Sequence, residues 1–193
     1  ERPPVVERRW AETPDTPPFG SPNADVTPMH PLGRGFNVMY TGSTHDEWGF
    51  RRTQDPEVHE RLVARLWRKV HSRLDRLFIY SVEPGEGHLD VGFVAYGSVY
   101  RSAAQAARML AGRGYRAGVL KLNTLWPLRR DVIEGFCRRA SVVVVPELNL
   151  GQVAGDVRAA CPGSNVYGYS KVGGGRPIYP EELCSFAEEV ARR

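Results

Sequence analysis

The sequence predicts an α/β fold: a three-layer, mostly parallel sheet with helices on both faces, preceded by a proline-rich arm and one long helix. Three observations carry that reading. From Leu77 onward, short β-rich runs alternate with segments of helical period. Strands that are apolar on both faces and separated by helices call for a parallel sheet covered on two sides. The apolar fraction is 41%, with 4 Trp, 8 Tyr and 7 Phe in 193 residues, which is enough for a sizeable core and excludes wholesale disorder.

The elements follow in chain order. Residues 1–35 hold more than half of the 15 prolines. Each proline removes a backbone donor and restricts its predecessor, so this stretch is neither helix nor central strand. It reads as an extended arm, with Val5, Val6, Trp10 and Phe19 as its apolar anchors. A compact polar loop covers 36–54 and completes a first region, 1–54. Asp55-Pro56-Glu57 then starts a helix, with Asp as N-cap, Pro in the first turn and Glu beside it. Val58, Leu62, Leu66, Val70 and Leu74 follow at steps of four, joined by Val63 and Trp67, and give a linker helix over 55–76 with one apolar stripe.

The region 77–193 is the α/β domain. Its predicted strands are Phe78–Val82, Val91–Tyr96, Ala117–Leu122, Val142–Val145 and Asn165–Tyr169. Helices are expected over Tyr100–Ala111, Leu128–Ala140, Leu150–Ala160 and Pro180–Ala191, the last with Leu183, Phe186, Ala187 and Val190 on one face.

Charge and cysteine content exclude several function classes. The net charge of +4 comes from 26 basic and 22 acidic residues, and neither half of the chain concentrates the excess in a stripe of the kind nucleic acid requires. Only Lys69, Lys121 and Lys171 are lysines, an arginine bias attributable to genome composition. No apolar run approaches membrane-spanning length, and no leader segment is visible at the N-terminus. Cys137, Cys161 and Cys184 show no CxxC or Cys/His spacing, so zinc, an iron–sulfur cluster and a disulfide framework are not expected in this chain, and a reducing cytoplasm is its expected home.

In a doubly wound sheet, ligands and partners meet the loops at the carboxyl ends of the strands. Three such loops stand out. Tyr96-Gly97-Ser98 opens a helix and offers backbone N–H groups to an anion, although Ser98 reads first as a plain cap. Asn123-Thr124-Leu125-Trp126-Pro127 follows the third strand, with Thr124 and Trp126 as its candidates. Pro146 to Gln152 follows the fourth. There Glu147 is either a general base or a carboxylate at a helix N-terminus, Asn149 is a cap, and Gln152 points outward. Neither GxxxxGK[ST] nor GxGxxG occurs. Gly173-Gly174-Gly175 reads as a turn rather than a ligand cradle. His45-Asp46-Glu47 suggests a metal or acid–base cluster, but adjacent side chains diverge, and structural hydrogen bonding is the preferred reading. No Ser/His/Asp or Cys/His arrangement is legible by spacing.

These loops, taken in order, resemble a known family. Val94-Ala95-Tyr96-Gly97-Ser98, Gly118 to Pro127 and Pro146 to Gln152 are similar to the alpha subunit of 2-oxoacid:ferredoxin oxidoreductases, with the 2-oxoglutarate type as the nearest flavour. Thr41-Gly42, His45-Asp46-Glu47-Trp48-Gly49 and Asp55-Pro56-Glu57-Val58-His59 resemble the linker of the same subunits, and Val6-Glu7-Arg8-Arg9 the exit from their first domain. The resemblance implies a fold like the transketolase C-terminal domain, serving assembly and bordering the active site. It implies CoA-acylating oxidative decarboxylation of a 2-oxoacid, with ferredoxin as electron acceptor. The assembled enzyme would use thiamine diphosphate, Mg, an iron–sulfur cluster and CoA. The partners would be a pyrimidine-binding domain and a thiamine-binding beta subunit. Neither is represented in this sequence, which therefore resembles the C-terminal part of an alpha subunit, as a fragment or a split-gene product, catalytically inert alone. Gly97, Ser98, Thr124, Trp126, Glu147, Asn149 and Gln152, with His45, Asp46 and Glu47, are then candidates for an interface or pocket lining. Two other readings remain open: a non-enzymatic interaction module, and the C-terminal domain of another thiamine enzyme, such as a branched-chain dehydrogenase beta subunit.

Overall fold

The structure, a computed structural model, describes residues 7–20 and 24–193. It divides into two compact units between Arg73 and Leu74.

In the first unit, the described part of the arm is held by its backbone. Ala11 N–H donates to Met29 O at 2.9 Å and Met29 N–H to Arg9 O at 3.0 Å, while Phe19 N–H donates to Glu47 O at 3.0 Å. Trp10, expected as an apolar anchor, is 57% exposed, and it is its neighbour Ala11 that is buried. Val5 and Val6 lie outside the described residues. Helix α1 (Pro56–His71) starts as expected, with the Asp55 carboxylate accepting from the N–H groups of Glu57 and Val58. It is shorter than the sequence implies: Ser72 N–H bonds back to Arg68 O, Arg73 N–H to Val70 O, and the chain reforms only a single turn, α2 (Leu74–Leu77). The apolar stripe is not sealed either. Val58 is buried, whereas Val63, Leu66 and Trp67 are exposed.

The second unit is built on five strands: β1 (Tyr80–Glu83), β2 (Leu89–Tyr96), β3 (Ala117–Leu122), β4 (Ala140–Glu147) and β5 (Val166–Ser170). The order across the sheet is β1-β3-β2-β4-β5. The pairs β2–β3, β2–β4 and β4–β5 are parallel, and β1 runs antiparallel on β3 with Tyr80 opposite Leu122. The helices are α3 (Val99–Ala111), α4 (Arg130–Cys137), α5 (Gln152–Ala160) and α6 (Pro180–Ala191).

Alternation along each strand sends successive side chains to opposite faces, and both faces are covered. Val91, Phe93 and Ala95 pack with Ala103 and Leu110 of α3 and Leu183 and Val190 of α6. On the other face, Val94, Leu120 and Val143 pack with Ile133 and Phe136 of α4 and Val153 and Val157 of α5. Gly92 permits the close approach of α4: a Cβ there would sit 2.8 Å from the Phe136 ring. The sheet is thus the middle of three layers.

One expectation fails outright. Cys137 and Cys161 form a disulfide across a sequence separation of 24. The last residue of α4 and the C-cap of α5 meet beneath the same sheet face, with their Cα atoms 6.2 Å apart, within bridging range. Linear spacing carries no record of that convergence. Cys184 is a free, buried thiol whose Sγ donates to Ala106 O, and burial pushes its pKa up.

Candidate functional site

The most developed polar constellation lies where β4 turns into α5. Glu147, the last residue of the strand, is 1% exposed. Its Oε1 accepts from Tyr96 Oη at 2.9 Å and from Val153 N–H at 3.0 Å, and its Oε2 accepts from Ala154 N–H at 2.8 Å. Asn149 complements it. Its Oδ1 accepts from the N–H groups of Gly151 at 2.8 Å and Gln152 at 3.3 Å, and its Nδ2 donates to Tyr96 Oη at 2.9 Å. The helical ladder then begins with Gly155 N–H on Gly151 O.

Every orphan donor at this helix start therefore has a side-chain acceptor, and the carboxylate also lies where the helix dipole favours negative charge. Of the two roles left open for Glu147, this geometry supplies the carboxylate at a helix N-terminus. A base needs access to the proton it removes, and Glu147 is enclosed. Gly151 sits at φ 92°, a left-handed value that makes the tight turn easy for glycine.

Tyr96, the aromatic at the end of β2, joins the two cappers. Burial, and then its hydrogen bond to Glu147, raises its pKa above the ordinary tyrosine value. In the sequence, Tyr96 shows only as the first residue of the Tyr96-Gly97-Ser98 turn, with no role of its own. The available signal was an aromatic hydroxyl at one strand end with a carboxylate and an amide at another.

The neighbouring corner, from β2 into α3, is built differently. Gly97 is exposed at φ 55°. Ser98 occupies the N-cap position, but at φ −66° and ψ −31° it is already helical, and its hydroxyl makes no capping hydrogen bond. A capping serine is normally extended, which aims Oγ at the first N–H groups. The expected cap is therefore absent. Above the first turn of α3, Lys121 Nζ lies 4.7 Å from the centre of the Tyr100 ring.

Thr124, after β3, clasps the entry to β1: its Oγ1 donates to Leu77 O at 2.7 Å and accepts from Ile79 N–H at 3.1 Å. Trp126 is 68% exposed, ahead of a cis peptide bond to Pro127. Leu125, Leu148 and Leu150 share this exposure, so the carboxyl end of the sheet carries an apolar rim. Gln152 is exposed as expected. The turn containing Gly173 to Gly175 is tied at its ends by the ion pair of Lys171 and Glu182, with Glu182 also accepting from Tyr179 N–H; Lys171 holds the Glu182 carboxyl below its usual range.

His45, Asp46 and Glu47 lie in the first unit, apart in the chain's division from the residues above. Asp46 Oδ1 accepts from Trp48 N–H at 3.0 Å and Phe50 N–H at 2.9 Å, closing a local turn. His45 packs edge-on to Phe19, with ring centres 4.5 Å apart, and its Nδ1 lies 2.6 Å from Ser43 O. That contact requires the proton on Nδ1. His45 Nε2 is buried without a hydrogen-bond partner, beside a cavity of about 410 Å³ lined also by Leu62 and Arg65. Glu47 faces solvent. Asp46 and Glu47 line the same cavity as His45, and among the described residues no group of three or more His, Cys, Asp or Glu could hold a metal ion.

Comparison with known proteins places this architecture. Residues 90–183 match the pyruvate:ferredoxin oxidoreductase core domain II. The 2-oxoglutarate synthase subunit KorA of Methanothermobacter thermautotrophicus is 35% identical over 177 residues, covering 91% of this chain and 46% of that subunit. The subunit of the same name from Archaeoglobus fulgidus is 36% identical over 172 residues, 89% of this chain and 47% of its own length. The chain thus spans about half the length of these relatives. Among solved structures, 2-oxoglutarate:ferredoxin oxidoreductase from Magnetococcus marinus, with 2-oxoglutarate, coenzyme A and succinyl-CoA bound, superposes with a TM-score of 0.82 at 25% identity, over 97% of this chain and 32% of that one. A split-gene transketolase, at a TM-score of 0.50 and 19% identity over 59% of this chain and 41% of that one, shares the fold. With a covered three-layer sheet, strand-end loops in the expected order and these relatives, the chain belongs to the alpha-subunit family of 2-oxoacid:ferredoxin oxidoreductases, and its residues 90–183 form core domain II.

Proposed function

We propose that this chain serves as the assembly-building part of the alpha subunit of a 2-oxoacid:ferredoxin oxidoreductase, inactive alone, with 2-oxoglutarate as the 2-oxoacid. The single observation that carries the reading is the 35% identity to a 2-oxoglutarate synthase subunit across 91% of the chain. In this reading, residues 1–54 are an arm and linker loop, 55–76 a linker helix, and 77–193 the transketolase C-terminal-like domain. The partners are a pyrimidine-binding domain, a thiamine-binding beta subunit and ferredoxin. Among the described residues, no helix is long and apolar enough to cross a membrane.

Thiamine diphosphate with Mg, and an iron–sulfur cluster, belong to the assembled enzyme, where the thiamine cofactor supplies the carbanion chemistry and CoA takes the acyl group. The start of α5 and the three cysteines do not fit them. The N–H donors at the start of α5 are taken by Glu147 and Asn149, two cysteines are bonded to each other, and the third is buried on a carbonyl. No step of the reaction is therefore assigned to this chain's side chains. Its contribution is the surface at the carboxyl end of the sheet, where Gly97, Ser98, Trp126, Leu148 and Leu150 are exposed. An exposed aromatic is the kind of residue that anchors an interface.

The test is reconstitution with the two partner polypeptides, followed by 2-oxoglutarate- and CoA-dependent reduction of ferredoxin. Trp126→Ala should leave the melting temperature unchanged and weaken assembly. Turnover by the isolated chain, or full assembly and turnover of the variant, would contradict the reading.

A further inference from the structure

Capping α5 requires only acceptors, and two side chains supply them: Glu147 for Val153 and Ala154, Asn149 for Gly151 and Gln152. Tyr96 is superfluous to that task. It comes from the adjacent strand β2, 51 residues before Glu147 and 53 before Asn149, and its hydroxyl touches both.

The direction of these bonds is fixed by chemistry. A carboxylate only accepts, so the phenol must donate to Glu147. Its oxygen is then free to accept from Asn149, which sets the amide with Nδ2 toward Tyr96 and Oδ1 toward the loop N–H groups. The hydroxyl therefore selects one orientation of the amide that grips the loop.

What is gripped is not core. Leu148 and Leu150, 44% and 85% exposed, stand on the segment between the two cappers and Gly151. A part-buried polar network beside an exposed apolar ridge adds little to packing. It does hold the ridge in one shape.

We propose that Tyr96 is a positioning residue: through Glu147 and Asn149 it holds residues 148–151 in the single arrangement that the assembled enzyme requires for turnover. The inference rests on the function proposed above and adds to it a named residue and a route.

Tyr96→Phe removes one oxygen and keeps the ring. Hydrogen exchange on the purified chain should speed up at Gly151 and Gln152 while Val143–Val145 remain protected. In the reconstituted complex, kcat should fall about three- to tenfold with KM for 2-oxoglutarate within about twofold, because small misplacements cost rate more than binding. The double variant Tyr96→Phe/Asn149→Ala should lose no more kcat than Asn149→Ala alone, since coupled residues are non-additive. Unchanged exchange at Gly151 and Gln152, faster exchange with unchanged kcat, or fully multiplicative losses would each overturn the proposal. A wild-type complex without turnover would overturn the functional reading, and the inference with it. That outcome is distinguishable, because the exchange difference between wild type and variant would persist.

Discussion

At the end of β2 the chain enters α3 through Gly97 and Ser98; at the end of β4, the neighbouring strand, it enters α5 through Leu148, Asn149, Leu150 and Gly151. Both turns carry a glycine at positive φ and a residue type that commonly caps helices. At the first, the cap residue is already helical and its hydroxyl is idle with respect to the helix. At the second, the cap position is the glycine itself, and the acceptors arrive from Glu147, four residues earlier, and Asn149, two residues earlier. Capping capacity thus resides in backbone geometry and reach rather than in the identity of the residue at the boundary.

The largest effect is expected at Glu147. Glu147→Ala strips acceptors from two buried N–H groups and the Tyr96 hydroxyl, and should cost about 3 kcal/mol in denaturant titration, the scale of several unpaired buried donors. Asn149→Ala should cost about 1 kcal/mol, as the loss of an N-terminal cap does. If both variants proved neutral, the closed corner would be closed in geometry only.

Alkali sharpens the contrast. The Tyr96 hydroxyl is held above the ordinary tyrosine range by burial and then by Glu147. A raised folded-state pKa means that its contribution is fully present below about pH 10 and is lost as the pH rises past the folded value. Tyr96→Phe should flatten that part of the stability profile, leaving the part due to Tyr169, whose pKa burial also raises. An identical alkaline profile in the variant would count against the network.

The smallest effects belong to the open corner and the solvent face. Ser98→Ala and Gln152→Ala should each shift stability by no more than about 0.5 kcal/mol, as surface changes usually do. A loss near 1 kcal/mol at Ser98 would show that its hydroxyl caps α3 in solution after all.

The strands were legible because their signal is local: Val142 to Val145 is an apolar run with no polar face, and such a run has few other homes than a covered sheet. The antiparallel direction of β1 was not legible, since alternation has no sign. At the candidate site, Glu147 and Asn149 could be singled out from their place after a buried strand. The role of Tyr96 could not, because a contact spanning 51 residues leaves no trace in spacing. Ser98 misled for a different reason: its letter fits a cap and its dihedrals do not.

The bond between Cys137 and Cys161 has a further consequence for this region. It closes a covalent ring that contains β4, the Leu148–Leu150 ridge and α5. A protease that nicks the exposed ridge would cut the ring at one point and release nothing. On a non-reducing gel the nicked chain should migrate as a single species, and the two pieces should separate only once a dithiol has opened the bridge.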